Sequence, residues 1–179
     1  MIITISGTPG SGKSTVAKLI AKKLNYKHYS MGDLQRSIAE KRGMHLMELS
    51  KLEEADSSID KEVDQTQANI GKKEDNFIID GRISYHFIPH SVKVFLDVDL
   101  KEAAERIYKA KREEESFKDI KDAEKHIKRR IKSEKRRYKN YYNIDCYDKS
   151  NYDILLDTTN MSIEEVVDTL LKKLERFIK

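Results

Sequence analysis

Apolar and polar positions divide the chain into short blocks that differ in their spacing. Runs rich in apolar residues predict four β-strands, at 2–6, 76–80, 93–98 and 153–157, and the polar segment 27–30 is predicted as a fifth strand that ends before Gly32. Between them, apolar residues recur every three or four positions and predict helices, directly after residue 14, near 33–42, 45–71, 100–112 and 121–142, and from 163 to 178. Continuous apolar strands separated by helices are typical of a parallel sheet covered on both faces. The pattern therefore predicts an α/β fold of three layers around a five-stranded parallel sheet.

Two details refine this prediction. Ser162 and Glu165 have the spacing of a capping box, which marks the start of the last helix. The highly polar stretch 109–122 interrupts two helices and predicts a mobile lid. A length of 179 residues without repeats or Pro-rich linkers fits one domain, 1–179.

Composition excludes several classes of protein. The single cysteine, Cys146, rules out an intramolecular disulfide, and the five histidines lack metal-ligand spacing, so His28 and the others are interpreted as surface or packing residues. The apolar opening 1–6 is too short for a signal peptide. No apolar run approaches the roughly 20 residues that cross a bilayer. We expect a cytoplasmic protein with no membrane partner.

Positive charge is concentrated in one segment. The net charge is only +4, but residues 106–142 hold 15 Lys and Arg against 7 Asp and Glu. Such a segment attracts phosphate groups, either on a nucleotide or on a nucleic acid.

The clearest chemical motif follows the first strand, where the chain matches G-x-x-x-x-G-K-[ST]. Glycines allow the backbone amides to face one anion, and the positive end of the next helix dipole points to the same place. The lysine of this motif reaches the β- and γ-phosphates, and the serine hydroxyl binds Mg²⁺. The predicted ATP site comprises Gly7, Thr8, Pro9, Gly10, Ser11, Gly12, Lys13, Ser14 and Thr15.

A second metal ligand is expected at the end of an apolar strand. Asp80 ends the strand at 76–80 and is predicted to hold Mg²⁺ together with Ser14, usually through water. Asp97, at the end of the next strand, is a rival for this role. The alternative for Asp80 is a strand-end turn or a helix cap.

Other segments indicate which class of phosphate-loop protein the chain resembles. The chain has no Asn-Lys-x-Asp segment for guanine, and no Glu follows Asp80 to activate water. Together with the loop, the segments SMGDLQR (30–36) and IDGR (79–82) resemble nucleoside monophosphate kinases. Residues 80–97, DGRISYHFIPHSVKVFLD, and the late DILLDTTNMSIEEV are especially similar to cytidylate kinases of the short archaeal form.

This resemblance implies a P-loop kinase fold with a mobile lid and assigns roles to individual residues. It implies a core of about 1–30, 76–108 and 150–179, an acceptor-binding region of about 31–75, and a lid and basic helix of about 109–142. Arg36 and Arg82 would hold the acceptor phosphate, with Asp33 nearby. Arg130 and Arg137 would converge on the phosphates during transfer. The predicted catalytic residues are Lys13, Arg82, Arg130 and Arg137.

Helical spacing supports part of this assignment. Arg130, Glu134 and Arg137 are spaced i, i+4 and i+7 and therefore share one helix face, where they can clamp a phosphate. The alternative is a solvated charged face, which we prefer for Arg129 and Arg136.

Two positions depart from the bacterial cytidylate kinase pattern: Ile83 replaces an Asp that contacts the base, and Met31 replaces a small hydroxyl residue. Other groups must then recognise cytosine. Asp60, Asp64 and Gln67 share a helical face and are the acceptor-binding candidates, with an ordinary polar face as the alternative.

Four late tyrosines could stack on bases, but we expect them to pack against the sheet with solvated hydroxyls: Tyr138, Tyr141, Tyr142 and Tyr147.

The expected activity is the phosphorylation of CMP, and also dCMP, by ATP with Mg²⁺. Adenylate kinase activity is the alternative within the class. A nucleotide-regulated nucleic-acid-binding protein is the alternative from another class. We expect a monomer that does not bind nucleic acid.

Overall fold

The computed structural model describes residues 1–44, 48–49, 52, 57–110 and 117–177, with only the backbone for 57–60. Within them, five strands form one parallel sheet in the order β2-β3-β1-β4-β5. The predicted α/β fold is confirmed, and each predicted strand ends within one residue of the observed one. The strands are β1 Ile2–Gly7, β2 Lys27–Ser30, β3 Phe77–Asp80, β4 Val92–Asp97 and β5 Ile154–Asp157.

Helices connect the strands on both faces of the sheet. They are α1 Lys13–Leu24, α2 Met31–Lys41, α3 Ser57–Lys73, α4 Ser84–Phe87, α5 Leu100–Ala110, α6 Ile120–Tyr142 and α7 Ile163–Leu174, with short 3-10 helices at Lys149–Asn151 and Glu175–Phe177. The sequence did not predict α4, because a four-residue helix is too short to show a period. The capping box of Ser162 and Glu165 is confirmed at the start of α7.

Two predicted segments extend outside the described residues. The helix predicted at 45–71 agrees with α3 in its second half, whereas most of its first half lies outside them. Of the predicted lid 109–122, residues 111–116 also lie outside them. Its described flanks are the last turn of α5 and the start of α6, where the Asp119 side chain caps the helix by accepting from the Asp122 amide.

Apolar side chains alternate between the two faces of the central strands, and each face has its own core. Ile3, Ile5 and Ile78 pack against α1 and α7. Phe77 and Ile79, the neighbours of Ile78 in β3, point to the opposite face and pack with residues of α2 and α3. This alternation produces the three layers.

Because all strands are parallel, their carboxyl ends lie along a single edge of the sheet. Register places Asp80 beside both Ile5 of β1 and Ser30 of β2. In this class of fold, ligands bind along that edge. No helix among the described residues has the length and the apolar character needed to cross a membrane.

Candidate active site

The phosphate-binding loop connects β1 to α1 in a conformation that requires glycine. Gly10 and Gly12 have φ angles of 86° and 79°, in the left-handed region that is costly for other residues. Among the described side chains, none caps the start of α1. The first-turn N–H groups of α1 and its positive dipole end are therefore directed to the loop, as anion binding requires.

The end of β3 brings a carboxylate to this helix start. Ser14 Oγ donates to Asp80 Oδ1 over 2.8 Å, and Lys13 Nζ lies 4.0 Å from the same oxygen. Asp97 is engaged elsewhere, since its carboxylate accepts from Thr8 and forms an ion pair with Lys149. Of the two rival carboxylates, the structure thus places Asp80 beside Ser14.

This oxygen pair fits Mg²⁺, which prefers hard oxygen ligands and usually takes one or two from the protein and the rest from phosphates and water. The described residues contain no cluster of three or more His, Cys, Asp or Glu side chains that could hold a metal by themselves. A metal here would therefore depend on a bound phosphate for the rest of its ligands.

His28 contacts the other oxygen of the same carboxylate. Its Nε2 lies 2.9 Å from Asp80 Oδ2, and the Asp80 residue is only 1% exposed. Burial alone would raise the pKa of Asp80, but the contacts with His28, Lys13 and Ser14 together hold it below its ordinary value. The interpretation of His28 as a surface or packing residue therefore needs correction, because sequence spacing does not reveal a contact between neighbouring strands.

The Lys13 ammonium group is buried beside charged groups of both signs. Burial and the neighbouring Arg82 lower the pKa of the Lys13 ammonium group to about 7, although Asp80 acts in the opposite direction. Negative charges on a bound triphosphate would favour the charged form and raise this pKa again. A bound anion would therefore stabilise the charged form of Lys13.

Arg82, in the turn after β3, is fixed by contacts from two directions. Its Nη1 donates to the backbone carbonyl of Gly7, and its Nε forms an ion pair of 2.8 Å with Glu134 Oε2 of α6. Glu134 Oε1 accepts from Arg130 Nε over 2.9 Å, and the Tyr147 hydroxyl donates to Oε2. Burial would raise the pKa of Glu134, but Arg82 and Arg130 lower it to about 2. An ionised carboxylate thus holds two guanidinium groups together.

The two arginines predicted on one face of α6 have different surroundings. Arg130 lines a pocket together with Lys13, Asp80 and Arg82. Arg137 lies against Tyr138, with its guanidinium 4.9 Å from the ring centre and Nη2 donating to the hydroxyl. Three of the four predicted catalytic residues therefore meet at one pocket, which Arg137 does not line.

The same pocket has a second side, which we call the side-chain wall: Met31, Gln35, Asp64, Gln67, Ile83 and Tyr138. Of the predicted acceptor-binding residues, Asp64 and Arg82 line the pocket. Asp33 and Arg36 form an ion pair with each other on the exposed side of α2 and do not line it. Asp60 lies in α3, but its side chain is outside the described part of the chain.

Hydrogen bonds fix the polar members of this wall. Asp64 accepts from Gln67 Nε2 over 3.1 Å and from the Tyr142 hydroxyl, and Gln67 Oε1 accepts from the buried Ser84 hydroxyl over 2.6 Å. The expectation of solvated tyrosine hydroxyls is wrong for Tyr142 and Tyr147, whose hydroxyls bind carboxylates. The sequence missed Gln35 and Ser84; the only signal was their position close to the motifs at 30–36 and 79–82.

Comparisons with known proteins agree with this geometry. A model of the cytidylate kinase-like family matches residues 2–160. The cytidylate kinase of Archaeoglobus fulgidus is 40% identical, covering 98% of this chain and 95% of its own. That of Methanocaldococcus jannaschii is 38% identical over the whole of both chains. Among solved structures, shikimate kinase from Bacteroides thetaiotaomicron has a TM-score of 0.69 at 18% identity, covering 98% of each chain, which shows a shared fold.

Proposed function

Because the chain belongs to the cytidylate kinase-like family, we propose that it transfers the γ-phosphoryl group of ATP to CMP. One observation carries this proposal: a single pocket joins Lys13 and Asp80, at the phosphate-binding loop, to a wall of hydrogen-bonding side chains. Arg82 and Arg130 line the same pocket, and we assign them to the phosphoryl group as it passes from donor to acceptor.

On the donor side, we assign the ATP phosphates to the loop from Gly7 to Thr15 and to the start of α1. Ser14 and Asp80 would hold Mg²⁺, whose bound charge neutralises the phosphate oxygens. Lys13 would bind the β- and γ-phosphates. Its surroundings support this role, because burial and the neighbouring Arg82 disfavour its charged form and a bound anion would favour it.

On the acceptor side, Arg82 and Arg130 would bind the phosphate of CMP and stabilise charge on the migrating group. The acceptor phosphate is already ionised at neutral pH, so the reaction needs no strong general base. Arg36 and Asp33, on the exposed side of α2, would approach the acceptor from outside the pocket. Arg137 would act indirectly through its contact with Tyr138.

The base of CMP would contact Asp64 and Gln67. Cytosine offers an amino group at position 4, whereas uracil offers a carbonyl there. An ionised Asp64 can only accept hydrogen bonds, so it favours the amino group. Its contacts with Gln67 and Tyr142 orient its two oxygens. We propose that dCMP is accepted as well as CMP.

The division of the chain follows from these assignments. The sheet with α1 and α7 would form the core, residues 31–75 the acceptor-binding region, and 109–142 the lid and basic helix. Closure of the lid would exclude water that otherwise hydrolyses ATP.

A steady-state assay tests the proposal. Formation of ADP from ATP and Mg²⁺ is measured with CMP, dCMP, UMP or AMP as the acceptor. We expect the highest kcat/KM with CMP or dCMP. AMP as the preferred acceptor would indicate an adenylate kinase. Salt-dependent binding of an unrelated RNA, without ADP formation that depends on any monophosphate, would reject the kinase assignment.

A further inference from the structure

We propose that His28 is a positioning residue that holds the Asp80 carboxylate in the orientation needed for the metal of ATP-Mg. This inference rests on the proposed function, since it assumes that Asp80 and Ser14 bind that metal. Neither the family match nor the loop motif assigns a role to His28.

The geometry gives the two oxygens of Asp80 different partners. Oδ1 faces α1, where it accepts from Ser14 and lies near Lys13. Oδ2 faces β2, where His28 Nε2 lies 2.9 Å away. Because each oxygen is bound from its own side, the carboxylate cannot rotate about its Cβ–Cγ bond without breaking a hydrogen bond.

The direction of the His28 hydrogen bond follows from the charge of its partner. A carboxylate offers only acceptor oxygens, and Oδ1 of Asp80 already accepts from Ser14. His28 must therefore carry a proton on Nε2 and donate it to Oδ2. A side chain that keeps a donor at this place should preserve the arrangement, and an apolar one should not.

The sheet explains how a residue on β2 reaches this site. In the parallel register, His28 is paired with Ile78 and Ser30 with Asp80. Side chains alternate along a strand, so Asp80 lies on the same face of the sheet as Ile78, one diagonal step from His28. Ser30, the direct neighbour of Asp80, instead accepts from the Asp33 amide at the start of α2. Asp80 therefore contacts His28 on the diagonal rather than Ser30 directly beside it.

Loss of His28 is expected to affect the binding of Mg²⁺ more than the binding of the nucleotide. Groups that orient a metal ligand from behind typically change metal affinity or activity by about 10- to 100-fold. The loop amides and Lys13 bind ATP phosphates without contacting His28. Loss of His28 should therefore reduce the factor by which Mg²⁺ raises the affinity for ATP. The affinity for metal-free ATP should stay the same.

Calorimetric titration tests this on the full chain, with ATP in the presence of excess Mg²⁺ and with ATP in the presence of EDTA. In His28→Leu, we expect the ratio of the two affinities to fall by about 10-fold or more. In His28→Gln, whose amide can donate from a similar position, we expect a ratio within about threefold of wild type. His90→Leu, an exposed histidine outside the pocket, is the matched control.

Each outcome has a separate meaning. If the wild-type protein binds ATP equally well with and without Mg²⁺, the proposed metal role of Ser14 and Asp80 fails. If Mg²⁺ strengthens binding in wild type and equally in His28→Leu, only the role of His28 is overturned. Equal losses with and without Mg²⁺, together with a lower melting temperature, would show a structural role and also overturn it. If His28→Leu does not fold, His28→Asn, whose amide is too short to reach Oδ2, serves in its place.

Discussion

In the phosphate-binding loop, the groups directed to the ligand are mainly backbone amides from one short segment, and Gly10 and Gly12 fix their geometry through their own φ angles. In the side-chain wall, the groups come from α2, α3, the turn after β3 and α6. Asp64 and Gln67 are each oriented by a partner on another element, Tyr142 and Ser84 respectively. The first region depends on local conformation, whereas the second depends on how distant elements pack.

This difference predicts different responses to substitution. Loss of the Lys13 side chain should abolish activity and leave the fold intact, because Lys13 faces the pocket rather than the apolar core. A change in the wall or in the cluster around Glu134 should alter stability or specificity, because those side chains also join elements.

Lys13→Ala should lower kcat by about 1,000-fold or more, because the charge that stabilises the migrating phosphoryl group is lost. The melting temperature should stay within a few degrees of wild type, as measured by calorimetry. Lys18→Ala, an exposed position of the same helix, is the control and should keep full activity. Near-normal turnover in Lys13→Ala would contradict the proposed role of the loop.

Glu134→Gln should lower the free energy of unfolding at neutral pH. A shift of the Glu134 pKa from 4.5 to about 2 corresponds to about 3 kcal/mol of stabilisation. Because the pKa is lower in the folded state, this contribution is present above about pH 4.5 and is lost as the pH falls towards 2. Urea unfolding across this pH range should show a steeper loss in wild type than in Glu134→Gln.

Glu124→Gln, also on α6, is the control for this measurement and should behave as wild type. Equal stability of Glu134→Gln and wild type at neutral pH would show that Glu134 does not hold Arg82 and Arg130 together. The ion pairs of Glu134 would then no longer support the contrast between the side-chain wall and the loop.

Asp64→Asn should lower the preference for CMP over UMP by about 10-fold, since a hydrogen bond to a charged group contributes about 1.5–3 kcal/mol. The asparagine amide can donate to the uracil carbonyl as well as accept from the cytosine amino group. The measurement is the ratio of kcat/KM for the two acceptors. Glu62→Gln, exposed on the same helix, should leave this ratio unchanged. An unchanged ratio in Asp64→Asn would remove Asp64 from base recognition.

Arg36→Ala should have the smallest effect, about a fivefold increase in the KM for CMP with little change in kcat. Arg36 is paired with Asp33 on an exposed surface, where solvent and salt weaken its attraction to a phosphate. Arg42→Ala at the end of α2 is the matched control. A large fall in kcat would instead place Arg36 in direct contact with the migrating group.

Sequence patterns and structure agree best where the determinants are local. Glycine spacing and the following Lys-Ser identify the loop, because both the required backbone and the ligand-binding groups lie in consecutive residues. The strands were predicted to within one residue, and for β1, β3 and β4 the reason is that burial on both faces leaves a nearly continuous apolar run. The strand ends also placed Asp80 and Asp97 at one edge of the sheet. They did not show which of the two lies beside Ser14.

That choice required the tertiary structure, and so did the contacts of His28, Tyr142 and Tyr147. Two residues separated by 52 positions, such as His28 and Asp80, meet only because β2 and β3 are neighbours in a particular register. Spacing along a helix placed Arg130 and Arg137 on one face, yet only Arg130 lines the pocket, while Arg137 contacts Tyr138 of its own helix. The sequence by itself determined the sheet, the helices around it and the phosphate-binding loop, since these follow from local periodicity and backbone conformation. Only the packing of distant elements decided which charged and polar side chains share the pocket, because those contacts depend on strand order and register.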